Sequence, residues 1–434
     1  MSLQPFGLTC PGDQAAIPNK REVAEAFLAG QDPMPMRERL IVQVPVAGSV
    51  GPPLSVAGLL VACIGAGCGG LTGNGTRADT MAEDAALSDG DLDSLAADDG
   101  GGPTPPSCTA SGARMSNCGA NHESCCTSPI VTGGTFFRTY DGVTASVGSE
   151  ATLAPDGGPT QMADPATVSD FRLDRYLVTV GRFRAFVGAW NGGNGWLPPA
   201  GAGKHTHLNG GLGLVNVADD AGVGYETGWV ASDDANIAPT DANLACDPFG
   251  NSFTWTPAAG NNEGLPINCV NWYEAYAFCI WDGGFLASEA EWVYAAAGGA
   301  QQREYPWGST SPGFDYQYAI YDCLYPNGPD GSDACLRGVD NIAPVGTASL
   351  GAGLWGQLDL EGELIEWNLD FYSLNYANPC TDCGQLTPAM QRVVHGGYWS
   401  SPFRTLYPST RQFFGHDDTS VHSSLFGFRC ARTP

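Results

Sequence analysis

Two helices in immediate succession are predicted by residues 266–294, which read Pro266-Ile-Asn-Cys-Val-Asn-Trp-Tyr-Glu-Ala-Tyr-Ala-Phe-Cys-Ile-Trp-Asp-Gly-Gly-Phe-Leu-Ala-Ser-Glu-Ala-Glu-Trp-Val-Tyr294. The first helix should follow Asn271, because Glu274 stands three residues later, where the acidic partner of a capping box belongs. Ser288 and Glu291 repeat this pattern at the start of the second helix. These caps indicate two short helices.

Around this pair the chain shows short elements separated by loops rich in Gly and Pro. The second helix should cover residues 289–297, because a glycine pair follows it. Another helix is predicted over residues 180–187, and alternating apolar residues predict strands at 168–176 and 392–394. The Gly- and Asn-rich stretch from about 188 to 263 indicates a long surface insertion. The pattern as a whole predicts an α+β fold.

Further sequence blocks accompany the helical pair in a consistent order. They are Phe171-Arg-Leu-Asp-Arg-Tyr-Leu-Val-Thr179 before it, and Tyr305-Pro-Trp-Gly308, Gly353-Leu-Trp-Gly-Gln-Leu-Asp-Leu-Glu-Gly-Glu-Leu-Ile-Glu-Trp367, His395-Gly-Gly397 and Gly427-Phe-Arg-Cys-Ala431 after it. Together, over about residues 128–434, the blocks resemble the formylglycine-generating enzyme (sulfatase-modifying factor) family. This resemblance implies the family's variant of the C-type-lectin-like fold, which has few helices, short strands and much irregular loop.

The composition limits the classes of function. Among 434 residues, 46 are acidic and 19 are basic, which gives a formal net charge of −27. A chain this negative repels phosphate backbones, so we expect no nucleic-acid partner. The 15 cysteines show no zinc-finger spacing and indicate an oxidising, exported environment.

Export is also indicated by the N-terminal region, residues 1–68. Charged residues from Met36 onward precede an apolar run at residues 54–62, as in a signal peptide. Met36 is either the true start of the protein or part of an extended leader. Both Cys63 and Cys68 follow sequences that resemble a bacterial lipobox, and either one is a candidate for lipidation. An ordinary secretory signal is the alternative interpretation.

Two segments separate this leader from the predicted folded domain. Residues 69–107 are acidic and poor in aromatic residues, which predicts a disordered linker because little apolar surface is available for burial. Residues 108–127 contain four cysteines and predict a small disulfide knot. The predicted domain, residues 128–434, then continues to the C-terminus.

A calcium site is predicted in the acidic stretch that starts at Asp359. Its carboxylates flank a glycine that permits a tight turn, so that oxygen ligands can converge on a hard cation. In the family that the chain resembles, the matching positions supply an Asp or Asn side chain, two backbone carbonyls and a Glu side chain. They correspond here to Asp359, Gly362, Leu364 and Glu366. A solvated acidic turn without calcium is the alternative.

Several disulfides are expected beyond the knot. The resemblance implies a bridge between Cys279 and Cys430, since these match a pair that is bridged in animal members of the family. Cys323 with Cys335 is a plausible local pair. The motif Cys380-Thr-Asp-Cys383 is interpreted as structural, with a redox CxxC as the alternative.

The copper chemistry of the family is not expected in this chain. Formylglycine-generating enzymes hold copper(I) with two cysteines located after their Arg-Gly-Gly motif, because thiolates suit this soft metal. The corresponding stretch here contains no cysteine, and Ser401 stands where the first one belongs. We therefore name no catalytic residue. A ligand groove is predicted instead, formed by Tyr398, Trp399, Ser401, Arg404 and Arg411.

Two functions follow from this reading. One is a calcium-stabilised binding or scaffold protein of the bacterial envelope, lipid-anchored or secreted, that holds a peptide or a glycan. The other is a metal-dependent oxidoreductase with altered ligands, for which His205 and His207 of the insertion are candidates. No spacing rule brings these histidines together, and scattered surface histidines are the simpler interpretation.

Overall fold

The structure of the chain is a computed structural model. It describes residues 104–109, 117–139, 163–217, 224–246, 251–328, 335, 338–373, 375–376, 378–411 and 416–434. The signal-peptide prediction and the lipidation candidates Cys63 and Cys68 lie outside the described residues, as does most of the predicted linker. Within the described residues, no helix has the length and apolar character needed to cross a bilayer.

Three α-helices occur in the described residues, and each begins at the predicted residue. They are α1 (Val180–Trp190), α2 (Trp272–Trp281) and α3 (Glu289–Ala296). The Asn271 side chain accepts a hydrogen bond from the Glu274 amide, and Ser288 does the same for the Glu291 amide. Both glutamates return a bond to the backbone of the cap residue, so both predicted capping boxes are confirmed.

In the described part of the chain the strands are short and form four small sheets. They are β1 (Ile130–Val131), β2 (Gly134–Thr139), β3 (Ala163–Val168), β4 (Phe171–Leu173), β5 (Val215–Asn216), β6 (Gly224–Tyr225), β7 (Ile365–Phe371), β8 (Cys380–Thr381), β9 (Cys383–Gly384), β10 (Gln391–His395), β11 (His416–Asp418), β12 (Phe426–Gly427) and β13 (Ala431–Arg432). The sheet orders are β1-β4-β13, β11-β10-β7-β12, β2-β3-β8 and β6-β5-β9. Few helices and short strands confirm the α+β prediction.

The predicted single strand over residues 168–176 is wrong in its extent. β3 ends at Val168 and pairs with β2 and β8, whereas β4 begins at Phe171 and pairs with β1 and β13. The break falls at Ser169, whose amide and hydroxyl both donate to the Asp382 carboxylate. Alternation of apolar residues continues across the break, so it could not reveal that the chain changes sheets there.

The main core is built around packed aromatic rings. Phe183 of α1 stacks on Phe278 of α2 with a centroid distance of 5.7 Å, and Phe428 meets both rings edge to face. The Gly- and Asn-rich stretch adds buried side chains to this core, among them Trp229 and Trp255. This stretch therefore packs into the domain and does not lie wholly on its surface.

Six disulfides pair all 12 cysteines that follow Cys68. They are Cys108–Cys126, Cys118–Cys125, Cys246–Cys269, Cys279–Cys430, Cys323–Cys335 and Cys380–Cys383. The predicted knot and the three predicted later pairs are confirmed. The bridge between Cys246 and Cys269 was not predicted, because it joins the insertion to the segment before α2 without any local motif.

Removing the Cys279–Cys430 bridge should cost much more stability than removing Cys380–Cys383. The first closes a loop of 151 residues and the second a loop of 3. The entropy of loop closure then gives about 5 kcal/mol for the long loop and about 2 kcal/mol for the short one. Denaturant unfolding of the two double-alanine variants under non-reducing conditions checks this. Equal losses would contradict it.

Candidate functional site

The acidic stretch forms a buried turn, here called the acidic turn (residues 359–366), that leads into β7. The turn needs a glycine at its centre. Gly362 has a φ of +85°, and a Cβ atom there would lie 2.5 Å from the carbonyl oxygen of Ile320. Asp359 and Glu363 also adopt positive φ angles of 57° and 64°. The backbone therefore forms a tight turn, which is the conformation that the calcium prediction requires.

Arg429 closes the acidic turn from one side. Its Nε and Nη2 atoms donate to the Glu366 carboxylate at 2.8 to 3.0 Å, and Nη2 also donates to the carbonyl oxygen of Asp359 at 2.9 Å. The Arg429 and Glu366 side chains are each 1% exposed. The two ends of the predicted calcium motif are therefore drawn together by a guanidinium group.

The acidic turn holds more buried acid than Arg429 can balance. Neither carboxylate oxygen of Glu361 has a hydrogen-bond partner among the described residues, and the same holds for Oε2 of Glu363. Burial raises the pKa of both side chains well above the ordinary value of a glutamate. It also raises the pKa of Asp359 to about 6. Four buried acids thus lie in the acidic turn, and Arg429 forms an ion pair with one of them, Glu366, which is the electrostatic setting of a cation site.

The four predicted calcium ligands lie together in this turn. Asp359 and Glu366 are buried, and the Asp359 carboxylate accepts a hydrogen bond from the Gly346 amide. Gly362 and Leu364 lie between them. No three His, Cys, Asp or Glu side chains in the described part of the chain are arranged to hold a metal ion. The predicted set uses only two carboxylates and otherwise backbone carbonyls, which calcium accepts. The orphaned oxygens of Glu361 fit a cation at this turn.

Ser401, at the position of the first copper cysteine, is fully engaged by its neighbours. Its hydroxyl oxygen accepts hydrogen bonds from the Tyr398 amide and the Thr405 hydroxyl, and it donates to the Tyr398 carbonyl. Ser401 is 2% exposed. The Ser401 side chain therefore stabilises a short turn through these hydrogen bonds.

The other predicted groove residues are mostly covered. Trp399 and Arg411 are buried, and Tyr398 is half-buried. The side chain of Arg404 lies outside what the structure describes. None of these residues lines either of two described cavities of about 370 and 430 Å³. The groove stays a prediction, with Tyr398 as its most accessible member.

Arg411 belongs to a buried charge cluster that the sequence did not suggest. Its guanidinium binds both oxygens of Glu289, and His395 lies 3.0 Å from the same carboxylate. Burial alone would raise the pKa of Glu289, but Arg411 and His395 hold it below its ordinary value. The one available signal was a second glutamate in the first turn of α3, where the capping box needs only Glu291.

His205 is not a surface histidine, so that interpretation is wrong for this residue. Its ring is fully buried, with Nδ1 3.0 Å from Glu226 and Nε2 3.0 Å from Glu291. Burial would lower the pKa of His205, but the charges of Glu291 and Glu226 raise it to about 10. A charged imidazolium donates from both nitrogens, so His205 joins the insertion to α3 and has no nitrogen left for a metal.

A profile of the sulfatase-modifying factor enzyme 1-like domain matches residues 118–434. The chain belongs to this family. The formylglycine-generating enzyme of Thermomonospora curvata is 30% identical over 298 residues, which are 64% of this chain and 88% of that protein. The inactive C-alpha-formylglycine-generating enzyme 2 of Mus musculus is 30% identical over 190 residues, 41% of this chain and 55% of that protein.

Among solved structures, PvdO from Pseudomonas aeruginosa aligns with 71% of this chain and 94% of its own length. The TM-score is 0.42 and the sequence identity is 18%.

The ion pairs of His205 should make stability fall as the pH rises. The folded pKa lies above the ordinary value of 6.5, so the stabilisation is complete below pH 6.5 and is lost toward pH 10. In this window the unfolding free energy of the wild type should fall relative to His205→Gln, by at most about 1.4 kcal/mol per pH unit. Urea unfolding at a series of pH values measures the difference.

His207→Gln is the matched control. Burial lowers the pKa of His207, so its contribution changes below pH 6.5 and not above it. A pH slope for His205→Gln as steep as that of the wild type would contradict the buried ion pairs.

Proposed function

We propose that this chain is an exported, lipid-anchored member of the sulfatase-modifying factor family that binds a peptide or a glycan. In this proposal it is stabilised by calcium and does not generate formylglycine with copper. The main observation behind the proposal is that the chain offers no pair of thiolates for copper. All 12 cysteines after Cys68 are paired in disulfides, and the site of the first copper ligand holds a serine whose hydroxyl is already bonded.

Copper(I) needs soft ligands, and thiolates are the ones the family uses. A hydroxyl oxygen such as that of Ser401 is a hard and neutral donor. Without two thiolates near Ser401, the residues present do not fit copper(I). This supports a binding role for the domain, in agreement with the name of the inactive mouse relative, although a shared fold does not by itself fix a function.

Accessible aromatic side chains near the altered site favour a binding role. Tyr398 is half-buried, Phe403 is 55% exposed, and half-buried Tyr407 stacks on the ring of Tyr305 with a centroid distance of 5.2 Å. Aromatic faces at a surface bind the apolar faces of sugars and the side chains of peptides. We therefore place the proposed ligand against Tyr398 and its aromatic neighbours.

Export and anchoring rest on the N-terminal sequence and on the disulfides. Six disulfides in one domain suit an oxidising compartment outside the cytoplasm. Cys63 and Cys68 both remain candidates for the lipidated residue. The mass of the mature N-terminal peptide distinguishes between them, and a mature terminus without lipid would contradict the anchor.

Purified protein should bind no stoichiometric copper after anaerobic loading with copper(I). It should also form no aldehyde from a cysteine-containing peptide in the presence of oxygen. Elemental analysis and peptide mass spectrometry measure both quantities, with the Thermomonospora curvata enzyme as the positive control. One copper ion per chain, or aldehyde formation, would overturn the proposal. Stoichiometric iron would support the alternative, an oxidoreductase with altered ligands.

Calcium should raise the melting temperature of the wild-type protein above its value in EDTA. A cation bound at the acidic turn offsets the charge of its buried carboxylates, and it binds the folded state alone. Asp359→Ala should reduce this calcium-dependent increase by at least half. Asp359→Asn is the control, because an amide oxygen can still bind calcium and still accept the Gly346 hydrogen bond. Identical melting temperatures of the wild type in calcium and in EDTA would contradict the calcium proposal.

A further inference from the structure

One of the six disulfides differs from the others in its access to solvent. Cys335 is exposed, whereas the other 11 paired cysteines, all of which the structure describes, are buried or half-buried. Its partner, Cys323, is 2% exposed. A thiolate must reach a sulfur atom to attack it, and exposed disulfides are the labile ones in proteins. The Cys323–Cys335 bridge is therefore the one that is most open to attack by a thiol.

The buried end of this bridge lies against the turn that the Ser401 side chain stabilises. The Cys323 amide donates to the Trp399 carbonyl at 2.8 Å, and the Asp322 amide donates to the Ser401 carbonyl at 3.0 Å. Cys323 and Trp399 also belong to one cluster of buried side chains. The backbone of residues 322–323 thus supports the turn of residues 398–401.

The backbone at Asp322 and Cys323 adopts a conformation that needs support from its surroundings. The two φ angles are 48° and 55°, in the left-handed region that residues other than glycine rarely enter. Such conformations persist where neighbouring bonds hold them. The disulfide holds Cys323 through its side chain, and the bonds to Trp399 and Ser401 hold the backbone. Because opening the disulfide removes one of these restraints, it favours a return to ordinary φ angles and loss of the two hydrogen bonds.

We propose that the Cys323–Cys335 disulfide is a reactive site for dithiols and that its reduction loosens the turn of residues 398–401. A thiolate of the dithiol bonds to Sγ of Cys335, the bond between the two cysteines breaks, and Cys323 keeps the electron pair and takes up a proton. The second thiol of the dithiol then displaces Cys335, which becomes a thiol. Two electrons and two protons pass to the protein, and the dithiol leaves as a disulfide.

Control of ligand binding follows from this reaction and rests on the proposed function. Tyr398 belongs to the turn, and it is the residue against which we place the peptide or glycan. The oxidised protein holds the turn in one conformation, because residues 322–323 are fixed beside it. The reduced protein lacks this support, so its affinity for the ligand should be lower.

Limited reduction with dithiothreitol, followed by alkylation and peptide mass spectrometry, shows which bridge opens first. We expect Cys323 and Cys335 to be alkylated while Cys380–Cys383 stays oxidised. The second pair is the matched comparison, because both bridges close short loops, of 12 and 3 residues, but both cysteines of the second pair are buried. Near-ultraviolet circular dichroism should show that the protein is still folded. Earlier opening of another bridge, or opening only together with unfolding, would overturn the proposal.

Amide hydrogen exchange tests the coupling between the disulfide and the turn. The amides of Asp322 and Cys323 should exchange at least about tenfold faster after limited reduction, because their hydrogen bonds to the turn are lost. Cys323→Ala/Cys335→Ala should show the same fast exchange without reductant. Cys380→Ala/Cys383→Ala is the control variant and should keep both amides protected. Unchanged exchange in either the reduced protein or the first variant would overturn the coupling.

Neither measurement uses a ligand, so the two proposals can fail separately. Slow exchange in the reduced protein would remove the control by dithiols and leave the proposed peptide or glycan site intact. If no peptide or glycan binds near Tyr398 in the oxidised protein, the proposed function fails, whereas the reactive disulfide is still judged by alkylation and exchange alone.

Discussion

The buried guanidinium of Arg429 joins three segments that are far apart in the sequence. It binds the Glu366 carboxylate at the start of β7, the carbonyl of Asp359 in the acidic turn, and the carbonyls of Asp174 and Arg175 after β4. All of its donor atoms, Nε and both Nη, are thus used inside the protein. Its loss would leave Glu366 charged and unpaired in the interior, which typically costs about 3–5 kcal/mol. The sheet that contains β4, the sheet that contains β7 and the acidic turn meet at this side chain, and the geometry of the candidate site depends on it.

The sequence was sufficient where local chemistry determines structure. The capping boxes at Asn271 and Ser288 satisfy backbone groups within a few residues, so they could be found without tertiary information. Long-range polar partners could not be found in this way. The contact of His205 with Glu291 spans 86 residues, and that of Arg411 with Glu289 spans 122. No periodicity marks such pairs, because each depends on how two finished elements pack.

In the candidate site, too, the local features could be predicted from the sequence and the long-range contacts could not. The order Asp359, Gly362, Glu366 predicted a tight acidic turn, and the turn is present. The sequence could not show that Glu366 is held by Arg429 or that Glu361 is buried with both oxygens unpaired, because both facts arise from neighbouring segments. The sequence alone showed that position 401 holds a serine and not a cysteine. The structure adds that the serine hydroxyl holds its own turn closed, so the change is accommodated in a well-bonded framework.

The last residues of the described domain supply contacts on which much of the rest is built. Phe428 lies in the aromatic core, Arg429 joins three segments, Cys430 closes the long disulfide, and β13 completes a sheet with β4. During synthesis the preceding residues of the domain therefore lack these partners until the end of the domain has left the ribosome. We therefore expect folding to be completed only when the whole domain has been made, in contrast to folds that assemble progressively from their N-terminal half. A nascent chain of this kind stays open for longer, which gives chaperones a prolonged opportunity to bind it.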